Sequence, residues 1–222
     1  MARGKLIVIE GLDRTGKSTQ CDLLVSKLQP NVELIKFPDR TTQIGGLIDR
    51  YLKDSSFTLP NHSIHMLFSA NRWELFKLMR EKLLQGINLV VDRYVYSGVA
   101  YSSAKRVPGM DLSWCFGVER GLLKPDLVIF LVNKHSNAGR KGFGEERYEN
   151  VAFQEAVEEK FLEMFSLLGE GVSVTGPPQI IDVTDKGISE VEKDIWQVVS
   201  PVVNNEGDDD DDDDLQYILE AL

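Results

Sequence analysis

The sequence predicts an α/β fold in which helices cover both faces of a five-stranded parallel sheet, with ligands bound at the carboxyl ends of the strands. Three observations predict it. Five short apolar runs, residues 6–9, 33–37, 89–91, 127–132 and 179–183, alternate with stretches of helical periodicity. The runs are almost continuously apolar, the pattern of parallel strands buried between two helical layers. A complete phosphate-loop motif, Gly-Leu-Asp-Arg-Thr-Gly-Lys-Ser at residues 11–18, directly follows the first run.

The elements follow in order. Lys5 to Ile9 reads as a strand, and residues 19–28 carry Cys21, Leu24, Val25 and Leu28 at helical spacing. Strand, glycine loop and helix therefore stand in the arrangement that cradles phosphate. Gly11 and Gly16 let the backbone N–H groups of the loop, from Asp13 through Arg14 and Thr15 to Thr19, wrap an anion at a helix N-terminus. Lys17 is expected to reach the outer phosphates of a nucleoside triphosphate, and Ser18 to ligate Mg²⁺. Polar residues fall on the rim: Pro38-Asp39-Arg40 after the second run and Asp92-Arg93-Tyr94 at the end of the third. Residues 64–84 read as a long amphipathic helix lining the cleft, with Met66, Leu67, Ala70, Trp73, Leu75, Leu78 and Leu83 on its apolar faces. Residues 136–148 lack periodicity and begin with three glycines around Arg140 and Lys141, the composition of a charged lid over bound phosphates. A helix is expected to begin near Glu149.

The totals bound the rest. A chain of 222 residues, 42% hydrophobic, supports one principal domain, placed at residues 1–205. The net charge of −10 belongs mostly to residues 206–222, an acidic tail with nine carboxylates and no Lys or Arg; the body keeps 25 basic against 26 acidic residues. A near-neutral body offers no basic face for nucleic acid and no attraction to an anionic membrane. Cys21 and Cys115 form no disulfide framework, which suits a reducing compartment. No apolar stretch approaches the ~18 residues of a membrane span, and the first strand lies too near Met1 for a cleavable signal, so a soluble intracellular protein is expected. His62 and His65 share a helical face without further ligands at metal spacing. Asp208 to Asp214 repels itself and cannot form a core. Beyond it, Leu215, Ile218, Leu219 and Leu222 fall on one helical face. A partner-binding helix and a disordered tail without specific role are both open, the second is favoured, and deleting residues 206–222 is expected to leave turnover unchanged.

Arg40, Arg72 and Arg93 come from three segments expected to face one cleft, where their guanidinium forks match phosphate oxygens. They suggest an acceptor that already carries a phosphate, the alternative for each being a surface salt bridge. Phe68 lies one helical turn before Arg72, so a ring and a guanidinium project from the same side, enough to stack on a base and bond its edge; a core role is the alternative for Phe68.

Taken together, these motifs resemble the thymidylate kinase family from residue 5 to about residue 200. The resemblance rests on Ile9-Glu10-Gly11-Leu12-Asp13-Arg14-Thr15-Gly16-Lys17-Ser18-Thr19-Gln20, Phe37-Pro38-Asp39-Arg40, Leu67-Phe68-Ser69-Ala70-Asn71-Arg72-Trp73-Glu74, Asp92-Arg93-Tyr94, Ser97-Gly98-Val99-Ala100-Tyr101, and Glu146-Arg147-Tyr148-Glu149 with Phe153-Gln154. Arg14 inside the phosphate loop is similar to the eukaryotic branch. The resemblance implies a phosphate-loop nucleoside monophosphate kinase fold, with transfer of the ATP γ-phosphoryl group to dTMP on the way to dTTP. It implies Mg²⁺, a homodimer packed through helices, and a cytoplasmic location with nuclear access left open. It implies catalytic roles for Arg14, Lys17, Arg93 and Asp92, Asp92 supporting the metal beside Ser18. Phe68 would stack on thymine, Arg72 bond its edge, Asp13 reach the 3′-hydroxyl, and Tyr148 crowd the 2′ position. Arg40 and Arg93 would hold the acceptor phosphate, Phe37, Gly98, Tyr101 and Gln154 lie near the acceptor, and Arg140 packs on the donor adenine. Two features depart from the family pattern: Asp39 stands where Glu is common, and the acidic tail has no counterpart. Two rivals remain at this point: a deoxynucleoside kinase, and a non-catalytic nucleotide-binding regulator acting through its tail.

Overall fold

The computed structural model describes residues 2–135, 144–204 and 215–218. The five strands are β1 (Leu6–Gly11), β2 (Val32–Lys36), β3 (Asn88–Asp92), β4 (Leu127–Val132) and β5 (Gln179–Asp182). They pair in parallel in the order β2-β3-β1-β4-β5. The helices are α1 (Lys17–Leu28), α2 (Gln43–Lys53), α3 (Asn61–Leu84), α4 (Val95–Ser103), α5 (Leu112–Gly117), α6 (Val151–Leu168) and α7 (Ile188–Asn204).

The period of two along β1 divides the core. Leu6 and Val8 point into one cluster with Phe130, Val99 and Phe161, beneath α3, α4 and α6; Ile7 and Ile9 point into another with Cys21, Leu24, Ile195 and Val199, beneath α1 and α7. The central strands β1, β3 and β4 are buried on both faces and so read as continuous apolar runs, while the edge strands β2 and β5 are buried on one face. The chain leaves β1 for β2 on one side and β4 on the other, and β3 returns between β2 and β1. The cleft opens at this switch point, at the carboxyl ends of β1 and β3. A third, small cluster of Ile48, Tyr51, Leu52 and Ile64 packs with Phe68 and Tyr148 on the cleft's far wall.

Two expectations need correction. Of the residues expected on apolar faces of α3, Met66, Trp73 and Leu78 are 50%, 39% and 43% exposed, while His65, Ser69, Asn71 and Arg72 are buried. Periodicity reports hydrophobicity, but a polar side chain whose partners come from other segments can occupy the inner face. Asn71 donates to the Asp39 carbonyl and accepts from its N–H, and His65 lies 2.7 Å from Ser102 Oγ and 2.9 Å from the Cys115 carbonyl. Burial pushes His65 down to about 4, which explains it as a neutral core residue; among the described residues no cluster suits a metal.

The second correction concerns the tail. Residues 215–218 are extended rather than helical, and they dock on the body. Ile218 exchanges hydrogen bonds of 2.8 Å with Leu122 and Gly121, and the Gln216 carbonyl accepts from Lys124 N–H at 2.9 Å. Ile218 is buried in the main core, and Tyr217 packs against Phe76 of α3. A segment that supplies core and backbone pairing contributes to stability, so deleting residues 206–222 should destabilise the fold, while turnover is expected to be unchanged. The Asp208–Asp214 run lies outside the described residues.

Candidate active site

The phosphate loop joins β1 to α1. Gly11 ends β1 with φ 150°, and a Cβ there would stand 2.7 Å from the Leu131 carbonyl oxygen, so only glycine fits. Gly16 caps α1 in a left-handed conformation, φ 94°. Three arginines share that unusual conformation, and two of them, Arg14 at φ 63° and Arg93 at φ 67°, line the cleft.

The cleft encloses about 540 Å³, within the range of small-molecule sites. Its lining joins the phosphate loop to the rim of β2 and β3 and to α3 and α4. The three arginines predicted to converge do so: Arg40, Arg72 and Arg93 all line it, with Phe37, Phe68, Asp92, Gly98, Tyr101 and Tyr148. Asp13, Arg14, Gly16, Lys17, Ser18 and Thr19 form its loop side. Gly11, Thr15 and Gln154 stand behind the lining: the Gly11 carbonyl accepts from Arg93, Thr15 Oγ1 donates to the Leu12 carbonyl at 3.0 Å, and Gln154 holds Asp13. Arg140 lies outside the described residues, as does most of the expected lid.

A carboxylate meets every arginine. Arg14 pairs with Glu149 at 3.0 Å, and Arg40 forks onto both oxygens of Glu146 at 2.7 and 3.0 Å while reaching Asp49 at 2.6 Å. Arg93 donates to Asp13 at 2.6 Å and to Ser97 Oγ at 3.1 Å. Arg72 sends Nε and Nη2 to Glu119, a pair that is 3% and 0% exposed. Its Nη1 makes no hydrogen bond among the described residues. Gly98 makes room for this guanidinium, since a Cβ there would lie 2.5 Å from Nη2.

Lys17 is buried, and its Nζ donates to the Leu12 carbonyl and, at 3.3 Å, to Thr15 Oγ1. Burial, reinforced by Arg93, pushes it down to about 7. The Asp13 carboxyl sits below its ordinary range: burial alone would raise it, but Arg93 and Lys17 prevail. Ser18 Oγ donates to Asp92 at 2.6 Å, and the Lys36 ammonium lies 3.1 Å from Ser18 Oγ and 3.5 Å from Asp92. Hydroxyl and carboxylate oxygens at the foot of a phosphate loop, with a cation already beside them, are a hard donor pair suited to Mg²⁺. Gln154 binds both sides of Asp13, accepting from its N–H at 2.9 Å and donating to its carboxylate at 2.7 Å, and donates to the Tyr148 carbonyl at 3.0 Å.

Sequence reasoning missed four supports. Glu10, fully buried, accepts from the N–H groups of Tyr94 and Ser97 and from Ser97 Oγ, fixing the start of α4 beside Arg93. Its one signal was a charge ending an apolar strand. Glu146 and Glu149 stood inside a quoted motif without a role, and Glu119 carried no local signal.

A phosphate loop feeding a helix, a carboxylate at the end of the adjacent strand and a ring of arginines facing the loop define a nucleoside monophosphate kinase. The solved thymidylate kinase from Candida albicans superposes with a TM-score of 0.86 at 42% identity, covering 98% of this chain and 99% of that one. The Thymidylate kinase family profile matches residues 9–195. Curated thymidylate kinases of Schizosaccharomyces pombe and Danio rerio are 54% and 48% identical over 204 and 206 residues, 90% and 91% of this chain and 93% and 92% of theirs. The chain belongs to the thymidylate kinase family.

Proposed function

We propose that the chain transfers the γ-phosphoryl group of ATP to dTMP, giving ADP and dTDP for dTTP synthesis, with the residue roles given below. The observation that carries the proposal is the single cleft in which a phosphate loop faces Arg40, Arg72 and Arg93 from three separate segments. A loop of this kind holds the donor, and an acceptor that is already phosphorylated accounts for the arginines. An uncharged nucleoside would leave Arg40 and Arg93 without an anion to clamp, which disfavours a deoxynucleoside kinase.

Lys17 and Arg14 sit where charge spreads over the transferring group, so their contribution is electrostatic stabilisation of the transition state. Arg93, held by Asp13, Ser97 and the Gly11 carbonyl, orients the acceptor phosphate; Arg40 shares that task once a phosphate competes with Glu146. Phe68 offers a ring to thymine, Arg72 Nη1 a donor to its edge, and Phe37, Gly98 and Tyr101 frame the acceptor. Asp13 reaches the 3′-hydroxyl, with Gln154 as its support, and Tyr148 walls the 2′ position. Arg140 keeps its assignment to the donor adenine. Ser18 and Asp92 would hold Mg²⁺, which when bound neutralises phosphate charge.

The homodimer finds support in α3. Met66, Trp73 and Leu84 recur at near-whole numbers of helical turns and are 50%, 39% and 49% exposed, an apolar stripe for a second copy. A cytoplasmic location fits Cys21 and Cys115, both buried free thiols, with nuclear access left open. Among the described residues no helix is long and apolar enough to cross a membrane.

A coupled assay of ADP release with ATP and Mg²⁺ tests the proposal by comparing dTMP with thymidine and with the cytidine, uridine, adenosine and guanosine monophosphates. Turnover on dTMP above all others is expected. Turnover on thymidine without dTMP would transfer the chain to the deoxynucleoside kinases, and preference for another monophosphate would discard the Phe68, Arg72 and Tyr148 roles.

A further inference from the structure

Lys105 lies two residues beyond α4, behind the cleft wall rather than on it. Its Nζ is buried and has no hydrogen-bond partner among the described residues. An ammonium in that position is costly unless something replaces water around it. What faces it is aromatic: the ring centroid of Tyr148 at 5.2 Å and that of Tyr51 at 5.6 Å. The negative faces of two phenol rings are the available compensation.

Arg147, Tyr101 and Phe153 pack against the same pair of rings. The Arg147 guanidinium lies 4.2 Å from the Tyr51 centroid and donates to the carbonyls of Tyr51, Asp54 and Phe57, which ties residue 147 to the end of α2. Tyr148 reaches Tyr51 through a long hydroxyl contact of 3.4 Å and touches Tyr101 and Phe153 by ring packing. None of these contacts charges the Tyr148 ring face. Lys105 is the one cation within reach of it among the described residues.

We propose that Lys105 is the positioning residue of the sugar wall: its ammonium draws the Tyr148 ring against Tyr51 and stiffens it, so that the pocket admits 2′-deoxyribose and rejects a 2′-hydroxyl. The inference rests on the assignment of Tyr148 to the 2′ position. A wall rejects an extra hydroxyl by clash, and clash discriminates only where the wall cannot yield by an ångström or so. Lys105 touches no substrate; it acts through Tyr148.

The test compares kcat/KM for dTMP with kcat/KM for the 5′-monophosphate of ribothymidine in Lys105→Met, Lys105→Arg and Tyr148→Leu. Lys105→Met should lower the deoxy-to-ribo ratio roughly five- to tenfold, chiefly through a lower KM for the ribonucleotide. Lys105→Arg, which keeps a cation over the rings, should restore most of the ratio, a rescue that a merely space-filling role would not require. A full ratio in Lys105→Met with a collapsed ratio in Tyr148→Leu overturns the Lys105 inference alone; a full ratio in both overturns the Tyr148 assignment as well.

The wild-type protein provides a check that survives misfolding of any variant. Burial pushes Lys105 down to about 8, so the ratio should fall as pH rises through 8. The groups that face it are Arg147, Tyr51, Tyr148, Cys115 and His65; burial holds Tyr148 well above the usual phenol range, Cys115 at about 12 and His65 at about 4. Effects of pH on ATP binding cancel in a ratio of two acceptors. A ratio that stays flat from pH 7 to pH 9 overturns the proposal.

Discussion

Replacing Glu119 by Gln removes the charge that faces Arg72 while keeping the shape of the pair. Both side chains are essentially inaccessible to water, 3% and 0% exposed, so solvent cannot replace the lost carboxylate. Breaking a buried pair by removing one partner costs about 3–5 kcal/mol, and the remaining amide oxygen places this variant near the lower end. At about 2–4 °C per kcal/mol for a domain of this size, the melting temperature should fall by roughly 6–12 °C. The guanidinium also loses the fork that aims Nη1. A charged hydrogen bond to the base edge is worth about 1.5–3 kcal/mol, so KM for dTMP should rise by at least tenfold while KM for ATP stays within about twofold. Urea unfolding and steady-state kinetics read both effects. The double variant Arg72→Met with Glu119→Leu separates them, because replacing a buried ion pair by apolar side chains is often neutral for stability. Its stability should return while dTMP affinity stays lost. If dTMP KM is unchanged in the double variant, Arg72 is a structural residue and the reasoning about the base edge is refuted.

Gly98→Ala places a methyl group 2.5 Å from Arg72 Nη2, and the guanidinium, pinned by Glu119, must yield; dTMP Kd should rise about tenfold with ATP Kd unaffected, as isothermal titration of each nucleotide would show. Ile218→Ala should cost about 2–5 kcal/mol in urea unfolding, and a change under 0.5 kcal/mol would mean that residues 215–218 contribute nothing to the core. Burial pushes Lys17 down to about 7 in the ligand-free protein, so at pH 8 ATP is expected to bind with uptake of about one proton. Calorimetry at pH 8 in two buffers of different ionisation enthalpy should detect that proton in the wild type and miss it in Lys17→Met. The same depressed value makes the ligand-free protein gain stability as pH rises from about 7 towards 10.5, where the unfolded chain still holds the proton. His65 acts at lower pH: neutral in the fold down to about 4, it should make stability fall as pH drops below 6.5, by about 2 kcal/mol at pH 5, with the loss absent in His65→Asn.

Some of the site was legible because its chemistry is local. Gly11, Gly16, Lys17 and Ser18 do their work within one strand–loop–helix unit, so their spacing along the chain is their spacing in space. The central strands β1, β3 and β4 were legible for the same reason, since burial on both faces marks each of them separately. Arg40, Arg72 and Arg93 were visible as candidates, but their meeting depends on three crossovers that no local pattern encodes. Glu119 and Lys105 were invisible. A carboxylate or an ammonium in a short connection looks like surface charge until the fold shows what stands opposite. The tail misled for the converse reason: Leu215, Ile218, Leu219 and Leu222 fit a helical period, yet residues 215–218 pair in extended form with residues 121–124 and bury Ile218 in the core.

Sequence alone therefore determined the fold class and the phosphate loop with its donor, because each is written in short-range pattern, and its motifs resembled the family that the comparisons show. The tertiary structure decided which carboxylate restrains each arginine, which cation stands behind Tyr148 and where residues 215–218 dock. Those are contacts between residues tens of positions apart, and their energies arise from burial, which exists only once the layers have closed.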